Sequence, residues 1–232
     1  MNISILSIGD EVLFGEIVDT NAAHIATRMY DEGLMVRRHL CVGDNEADII
    51  GAIETLAGGN DVVIATGGLG PTVDDITARA AAKAAGRHLV LNEEALAHLK
   101  RFYARAGREM VPAAEKQCLL PAKAPLVPNP VGTACGFMLP HKGTYFFFMP
   151  GVPVEMKRIL EETVIPAVRS LKKEQRHIQT RQFRVFGLSE TQIEGRVKDV
   201  ARPADGLSVA YCVNFPEVFV KLRVEGDDEA RM

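Results

Sequence analysis

The chain has 232 residues and lacks both a long apolar run and an excess of charge of either sign. No stretch approaches the roughly 18 apolar residues of a membrane span, so no membrane association is expected. A net charge of −3 is not the basic footprint of a dedicated nucleic-acid binder, and no nucleic-acid partner is expected. The four cysteines, Cys41, Cys118, Cys135 and Cys212, include no Cys-x-x-Cys pair. In a chain of this size that argues against a disulfide framework and for reduced thiols in the cytoplasm. The six histidines make no His-x-x-x-His pair, which removes a catalytic zinc site. Ser7, Ser189 and Ser208 lack the context of a nucleophile elbow. Residues 1–8 carry no basic n-region and meet Asp10-Glu11, so they read as a first strand rather than a signal peptide. Internal repeats and low-complexity tracts are also missing.

What is present is an alternation of strand-length apolar runs and helix-period segments. Residues 2–8, 35–42 and 61–65 read as strands, and 21–33, 46–56, 76–85 and 92–106 as helices, with Asn21 an expected N-cap. Strands separated by helices mean βαβ crossovers and a mostly parallel, doubly wound sheet. A proline-dotted stretch, 112–130, reads as a long connection. Residues 135–139 and 144–149 flank His141-Lys142-Gly143 as a hairpin expected at a sheet edge. A helix over 154–171 closes this part, and its interior Pro166 is expected to kink or end it. From about residue 172 the pattern becomes β-α-β-β, over 180–185, 190–200, 207–213 and 218–224. The charged tail, 227–232, reads as the first turn of another helix, so the chain is expected to be a fragment of a longer protein. Two domains follow, 1–171 and 172–232. An exposed sheet face on the smaller one predicts a homo-oligomer, a dimer or trimer.

The main chemical signal is Thr66-Gly67-Gly68-Leu69-Gly70-Pro71-Thr72, directly after the apolar strand. Glycines let a ligand approach backbone amides with no Cβ in the way, and amides at a helix start suit a phosphate. The carboxyl end of a strand is also where open α/β sheets bind ligands. A Walker loop is excluded because no Gly-Lys-Ser/Thr follows. Pro71 is expected at the first position of the next helix. Asp74 and Asp75 are then in its first turn, with Asp75 completing a capping box to Thr72 and Asp74 facing the ligand.

A second acidic group, Asp10 and Glu11 followed by Asp19-Thr20-Asn21, falls on the same rim of the sheet. Asp10, Asp19, Asn21 and Asp74 offer hard oxygen donors for a divalent ion such as Mg²⁺, Mn²⁺ or Co²⁺ bridging phosphates. Asn129-Pro130-Val131-Gly132-Thr133 and Pro150-Gly151-Val152-Pro153 with Glu155 form two rigid turns beside strand ends. Arg181, Arg184 and Lys221 read as a solvated strand face.

These motifs, in this order, resemble the N-terminal half of the competence/damage-inducible protein family CinA, and the later β-α-β-β unit resembles its truncated KH-like module. The resemblance implies a three-layer α/β fold with a mostly parallel sheet of the molybdopterin-binding, MoaB/MogA-like type. It implies metal-dependent hydrolysis of ADP-ribose to AMP and ribose 5-phosphate. The nucleotide is expected on Thr66, Gly67, Gly68, Gly70, Thr72, Asn129, Gly132, Thr133, Gly151 and Glu155, with Asp10 and Asp74 catalytic. The alternatives are adenylyl transfer to, or binding of, a pterin phosphate, or a non-catalytic nucleotide-binding module. Cys135 stands where the family pattern usually has proline; no base accompanies it, so a cysteine nucleophile is not expected.

Overall fold

The computed structural model describes residues 1–171, 177–198 and 207–226. The chain divides into two compact units, residues 1–30 with 34–172, and 31–33 with 173–232.

The first unit is built on a six-stranded sheet. Its strands are β1 (Ile3–Ile8), β2 (Val36–Val42), β3 (Val62–Thr66), β6 (Leu126–Val127), β7 (Gly136–His141) and β8 (Thr144–Met149). The spatial order is β2-β1-β3-β8-β7-β6. The pairs β1/β2, β1/β3 and β3/β8 are parallel, while β8/β7 and β7/β6 are antiparallel. Every residue of β1 and β3 is buried, and a one-turn helix, α1 (Asp10–Leu13), follows β1. Successive side chains serve opposite faces. Val62 and Ile64 join one core with α2 (Thr20–Asp31), α6 (Pro153–Ile159) and α7 (Ile165–Leu171). Val63 and Ala65 join the other with α3 (Glu46–Leu56), α4 (Thr77–Ala84) and α5 (Glu93–Arg105). The result is the expected three-layer fold. A sheet covered on both faces explains why these strands read as unbroken apolar runs.

Several expectations need correction. Stretch 112–130, read from sequence as a long connection, contains structure of its own. It holds a 3₁₀ helix (Pro112–Cys118), then β5 (Leu119–Pro121), then β6. β5 pairs with β4 (Leu89–Leu91), about thirty residues earlier. Two three-residue strands carry too little periodicity to be read locally. The β7–β8 hairpin is not at an edge: β8 lies between β3 and β7, and β6 forms that edge. Its turn, Lys142-Gly143, has positive φ at both positions (46° and 81°), as a two-residue hairpin requires.

The closing helix is interrupted by a π turn, Leu160–Val164, before α7. Pro166 has no N–H to offer its own turn, and the π turn absorbs that break without ending the helix. The N-cap of α2 is Asp19, whose Oδ1 accepts from the Ala22 amide at 2.8 Å, rather than Asn21. Asn45 and Asn92 do cap α3 and α5.

The second unit is an antiparallel sheet of β9 (His177–Phe186), β10 (Leu207–Asn214) and β11 (Glu217–Gly226), ordered β10-β11-β9. Its helix α8 (Glu190–Val197) starts in a capping box between Ser189 and Gln192. Ile193 of this helix packs on Val218 and Val220. Phe183 and Phe186 are exposed. Arg184 places its guanidinium 5.5 Å from the Phe219 ring centroid. The further helical turn expected over 227–232 lies outside the described residues. Among those described, no helix is long and apolar enough to cross a membrane.

Candidate functional site

Parallel register brings the carboxyl ends of β1, β3 and β8 side by side, with Ser7 opposite Thr66 and Thr66 opposite Met149. β2 ends beside β1, with Val42 opposite Ile8. The loops leaving these four strands enclose a cavity of about 470 Å³. That is the size of a whole small-molecule site, at the position where parallel sheets bind ligands.

One wall is the glycine loop. Gly67 has φ 109°, and a Cβ there would collide with the Ile8 carbonyl, so only glycine fits between β1 and β3. The Gly67 amide already donates to Met149 O at 3.0 Å, and the Thr72 amide to Asp75 Oδ2 at 2.8 Å. Among the described residues the amides of Gly68, Leu69 and Gly70 donate to no protein acceptor. These three are the amides the loop leaves open, fewer than the whole loop expected from sequence to hold the ligand.

The loop does not run straight into a helix. Residues 71–76 intervene, and α4 begins at Thr77, so Pro71 is not at a first helical position. Asp74 and Asp75 consequently sit on a bend rather than in a helical turn. The Thr72 hydroxyl and amide both donate to Asp75 Oδ2, which makes a local turn instead of a capping box. Lys116 donates to the carbonyls of Thr72 and Val73 and pins this bend from outside.

The remaining wall is acidic. Glu11, Asp19, Asp44, Asp74, Asp75 and Glu155 line the cavity, and among the described lining residues there is no lysine, arginine or histidine. Burial, with the carboxylates of Asp10, Glu11 and Asp74 around it, holds Asp44 above the ordinary carboxylate range. Burial does the same to Glu155, against the pull of a hydrogen bond from Asn129. The exposed Asp74 is held below that range by hydrogen bonding within its own loop and, more weakly, by the charge of Lys116.

Ten of the residues singled out from sequence line this cavity: Asp19, Asn21, Thr66, Gly67, Gly68, Gly70, Asp74, Thr133, Gly151 and Glu155. The other four stand behind it. Asp10 turns away: its Oδ1 accepts from the Asp44 amide, while the Asp10 amide donates to Asp44 Oδ2 (3.1 and 3.0 Å). Thr72 is spent on Asp75. Asn129 is fully buried; its Oδ1 accepts from the amides of Val131 and Gly132, and its Nδ2 donates to Ala134 O and Glu155 Oε2. Gly132 lies against the Glu155 carboxylate, where a Cβ would collide with it. Asn129 and Gly132 thus shape the loop that carries Thr133 and brace the Glu155 carboxylate of α6, behind the cavity lining.

Asp19 is also heavily committed. Besides capping α2, it accepts from Ser7 Oγ at 2.5 Å, and His39 Nε2 is 3.3 Å from the same oxygen. Asn21 Nδ2 donates to Gly151 O at 2.6 Å, and its buried Oδ1 has no partner among the described residues. Asp44 was not singled out from sequence. The signal available was Gly43-Asp44-Asn45 at the end of the second strand, on the same rim.

Among the described residues no three His, Cys, Asp or Glu side chains converge as a closed metal site. The donor set nevertheless suits a Mg²⁺-like ion, which is commonly held by one or two carboxylates plus the ligand's phosphates. The raised Asp44 and the orphaned Asn21 Oδ1 are the features such an ion would relieve. Burial raises the Cys135 thiol and pushes Cys118 up to about 11, so neither is a ready thiolate.

Residues 4–170 match the family described as "Probable molybdopterin binding domain", and 180–232 match "Damage-inducible protein CinA KH domain". A CinA-like protein of Geotalea uraniireducens is 60% identical over 230 residues, covering 99% of this chain and 55% of that protein. A CinA-like protein of Geobacter metallireducens is 58% identical over 232 residues, covering 100% and 56%. The chain thus spans about half the length of the curated relatives it matches. The crystal structure of CinA from Thermoplasma acidophilum superposes with a TM-score of 0.66 at 36% identity, over 71% of this chain and 96% of that one. A molybdopterin biosynthesis protein from Mycobacterium abscessus shares the fold, with a TM-score of 0.51 at 17% identity over 73% and 93%. With a molybdopterin-binding-type domain followed by a CinA KH domain, the chain belongs to the CinA-like family.

Proposed function

We propose that this chain is a metal-dependent pyrophosphate hydrolase that cleaves ADP-ribose to AMP and ribose 5-phosphate. The observation that carries the reading is the cavity's division into three unengaged amides on one wall and six carboxylates, without a cation, on the rest. The amides suit a phosphate. A polyanion entering an acidic cavity needs a counter-cation, because no lysine or arginine among the lining residues supplies one. ADP-ribose as the particular pyrophosphate rests on the family resemblance.

In this reading Gly68, Leu69 and Gly70 hold the oxygens of one phosphate, and Thr133 offers its hydroxyl to the other. Asp44 and Asp74 would hold the divalent ion, Mg²⁺, Mn²⁺ or Co²⁺, which would supply neutralisation of the phosphate charge. Glu155 is the general base, a reassignment from nucleotide contact. Its carboxylate lines the cavity, is held by Asn129, and has a pKa raised by burial, the direction that suits a base working near neutrality. It takes the proton of a water whose oxygen attacks one phosphorus. The P–O–P bond breaks, and the leaving phosphate keeps its electron pair.

The test is incubation with ADP-ribose and each metal, followed by product analysis. AMP and ribose 5-phosphate in equal amounts, lost with Glu155→Gln, support the hydrolase. Tight binding without products in every metal supports a nucleotide-binding module instead. Molybdopterin binding in the family description favours one other reading, for which an adenylylated pterin formed from ATP is the diagnostic product.

A further inference from the structure

His98 lies outside the cavity lining and outside every motif read from the sequence. It belongs to α5, which Ala95 and Leu99 anchor in the core. Three residues after Ala95, it falls on the same side of that helix. Its Nε2 is 2.8 Å from Gly132 O, 34 residues along the chain. A carbonyl oxygen only accepts, so Nε2 carries the proton and His98 is the donor.

This hydrogen bond fixes an orientation as well as a position. The Gly132 amide already donates to Asn129 Oδ1 at 3.0 Å, so side chains from two elements hold both polar groups of this glycine. The Gly132 carbonyl is half of the peptide group that joins Gly132 to Thr133. A trans peptide is planar, and its C=O and N–H point in opposite directions. With the carbonyl turned to α5, the Thr133 N–H turns away from it. Neither His98 nor Gly132 lines the cavity, whereas Thr133 does. Among the described residues the Thr133 amide donates to no protein acceptor. We propose that His98 is a positioning residue, which aims the 132–133 peptide so that the Thr133 N–H faces the cavity and donates to the second phosphate of a pyrophosphate. The inference rests on the pyrophosphate reading of the cavity and adds to it what orients the donor on the 129–134 loop.

The test compares the intact parent chain with two variants. His98→Leu removes the donor, and His98→Gln restores it, because the glutamine Nε2 falls near the place of the imidazole Nε2. Each is titrated calorimetrically with inorganic pyrophosphate and, separately, with inorganic phosphate, both in excess Mg²⁺. His98→Leu is expected to weaken pyrophosphate binding at least about tenfold, the worth of a donor to a charged group, and to leave phosphate binding unchanged. His98→Gln is expected to recover most of that loss. Thermal unfolding verifies that the variants remain folded. Nitrogen-15 spectra of the parent at about pH 8, where imidazole is neutral, are expected to show Nε2 protonated and Nδ1 bare. That spectrum decides the donor even if a variant unfolds, and a bare Nε2 would overturn the proposal. Unchanged pyrophosphate binding in His98→Leu would overturn it too, while leaving the hydrolase reading intact. Equal weakening of both anions, or His98→Gln behaving as His98→Leu, would reduce His98 to packing and count against it. A parent chain that binds neither anion would sink both readings.

Discussion

Asn129 Nδ2 donates to Glu155 Oε2 at 2.7 Å, joining a fully buried amide to an acid that lines the cavity. Asn129 holds two loop amides and one carbonyl as well, so a single side chain sets both the turn and the acid. Asn129→Ala is expected to cost about 3 kcal/mol, since several buried partners lose their bond at once. It also removes the one interaction that lowers Glu155, so the acid limb of the pH–rate profile moves to higher pH. Urea denaturation and a pH–rate profile read the two effects separately.

Glu155→Gln keeps the shape and removes the charge. Turnover is expected to fall by roughly 10²–10⁴-fold, the usual worth of a general base. Stability behaves differently. The folded pKa of Glu155 is raised, so its protonated form favours folding below the unfolded value, and that contribution is lost as pH rises through the folded pKa. The variant is therefore at least as stable as the parent at neutral pH, with the parent gaining relative to it below about pH 4.5. Denaturation midpoints at pH 4 and 7.5 check the sign.

Asp44 and Asp74 share the acidic wall, and the charge of Asp74 adds to the burial that raises Asp44. Asp74→Asn is expected to raise the Mg²⁺ concentration for half-maximal activity about tenfold or more, a change read from an activity titration with metal. A chelator is expected to abolish turnover reversibly. Because burial and like charges raise Asp44, metal affinity falls as the solution is acidified through its pKa. An unchanged metal requirement in both Asp44→Asn and Asp74→Asn would remove these residues from the ion.

Asp19→Ala separates scaffold from ligand. The substitution uncaps α2 and removes one of the two partners of the buried Ser7 hydroxyl, the other being His39 Nε2 at 2.9 Å. The expected loss is about 2–3 kcal/mol of stability, with little change in apparent metal affinity. A large metal effect with no stability effect would reverse that assignment.

Gly67→Ala places a Cβ against the Ile8 carbonyl at a φ of 109°. A cost of about 2–4 kcal/mol is expected, measurable by chemical denaturation, together with loss of nucleotide binding as the loop shifts.

By itself the sequence determined the layers of the fold. The apolar runs of β1 and β3 and the helix periods between them are local patterns, and a two-sided parallel sheet is the arrangement that buries both. It also located the glycine loop and the acidic rim, because strand ends in such a sheet share one edge. Short strands such as β4 and β5 were not legible, since their pairing partner lies about thirty residues away and only contact defines them. The division of labour within the site was not legible either. Asp10, Asp19 and Asp74 are the same kind of group in sequence. Only the tertiary structure spends Asp10 on the Asp44 amide and Asp19 on Ser7 and a helix cap, leaving Asp74 open beside Asp44. The reason is physical: a carboxylate's chemistry depends on which donors and charges surround it, and those arrive from segments far apart in the chain.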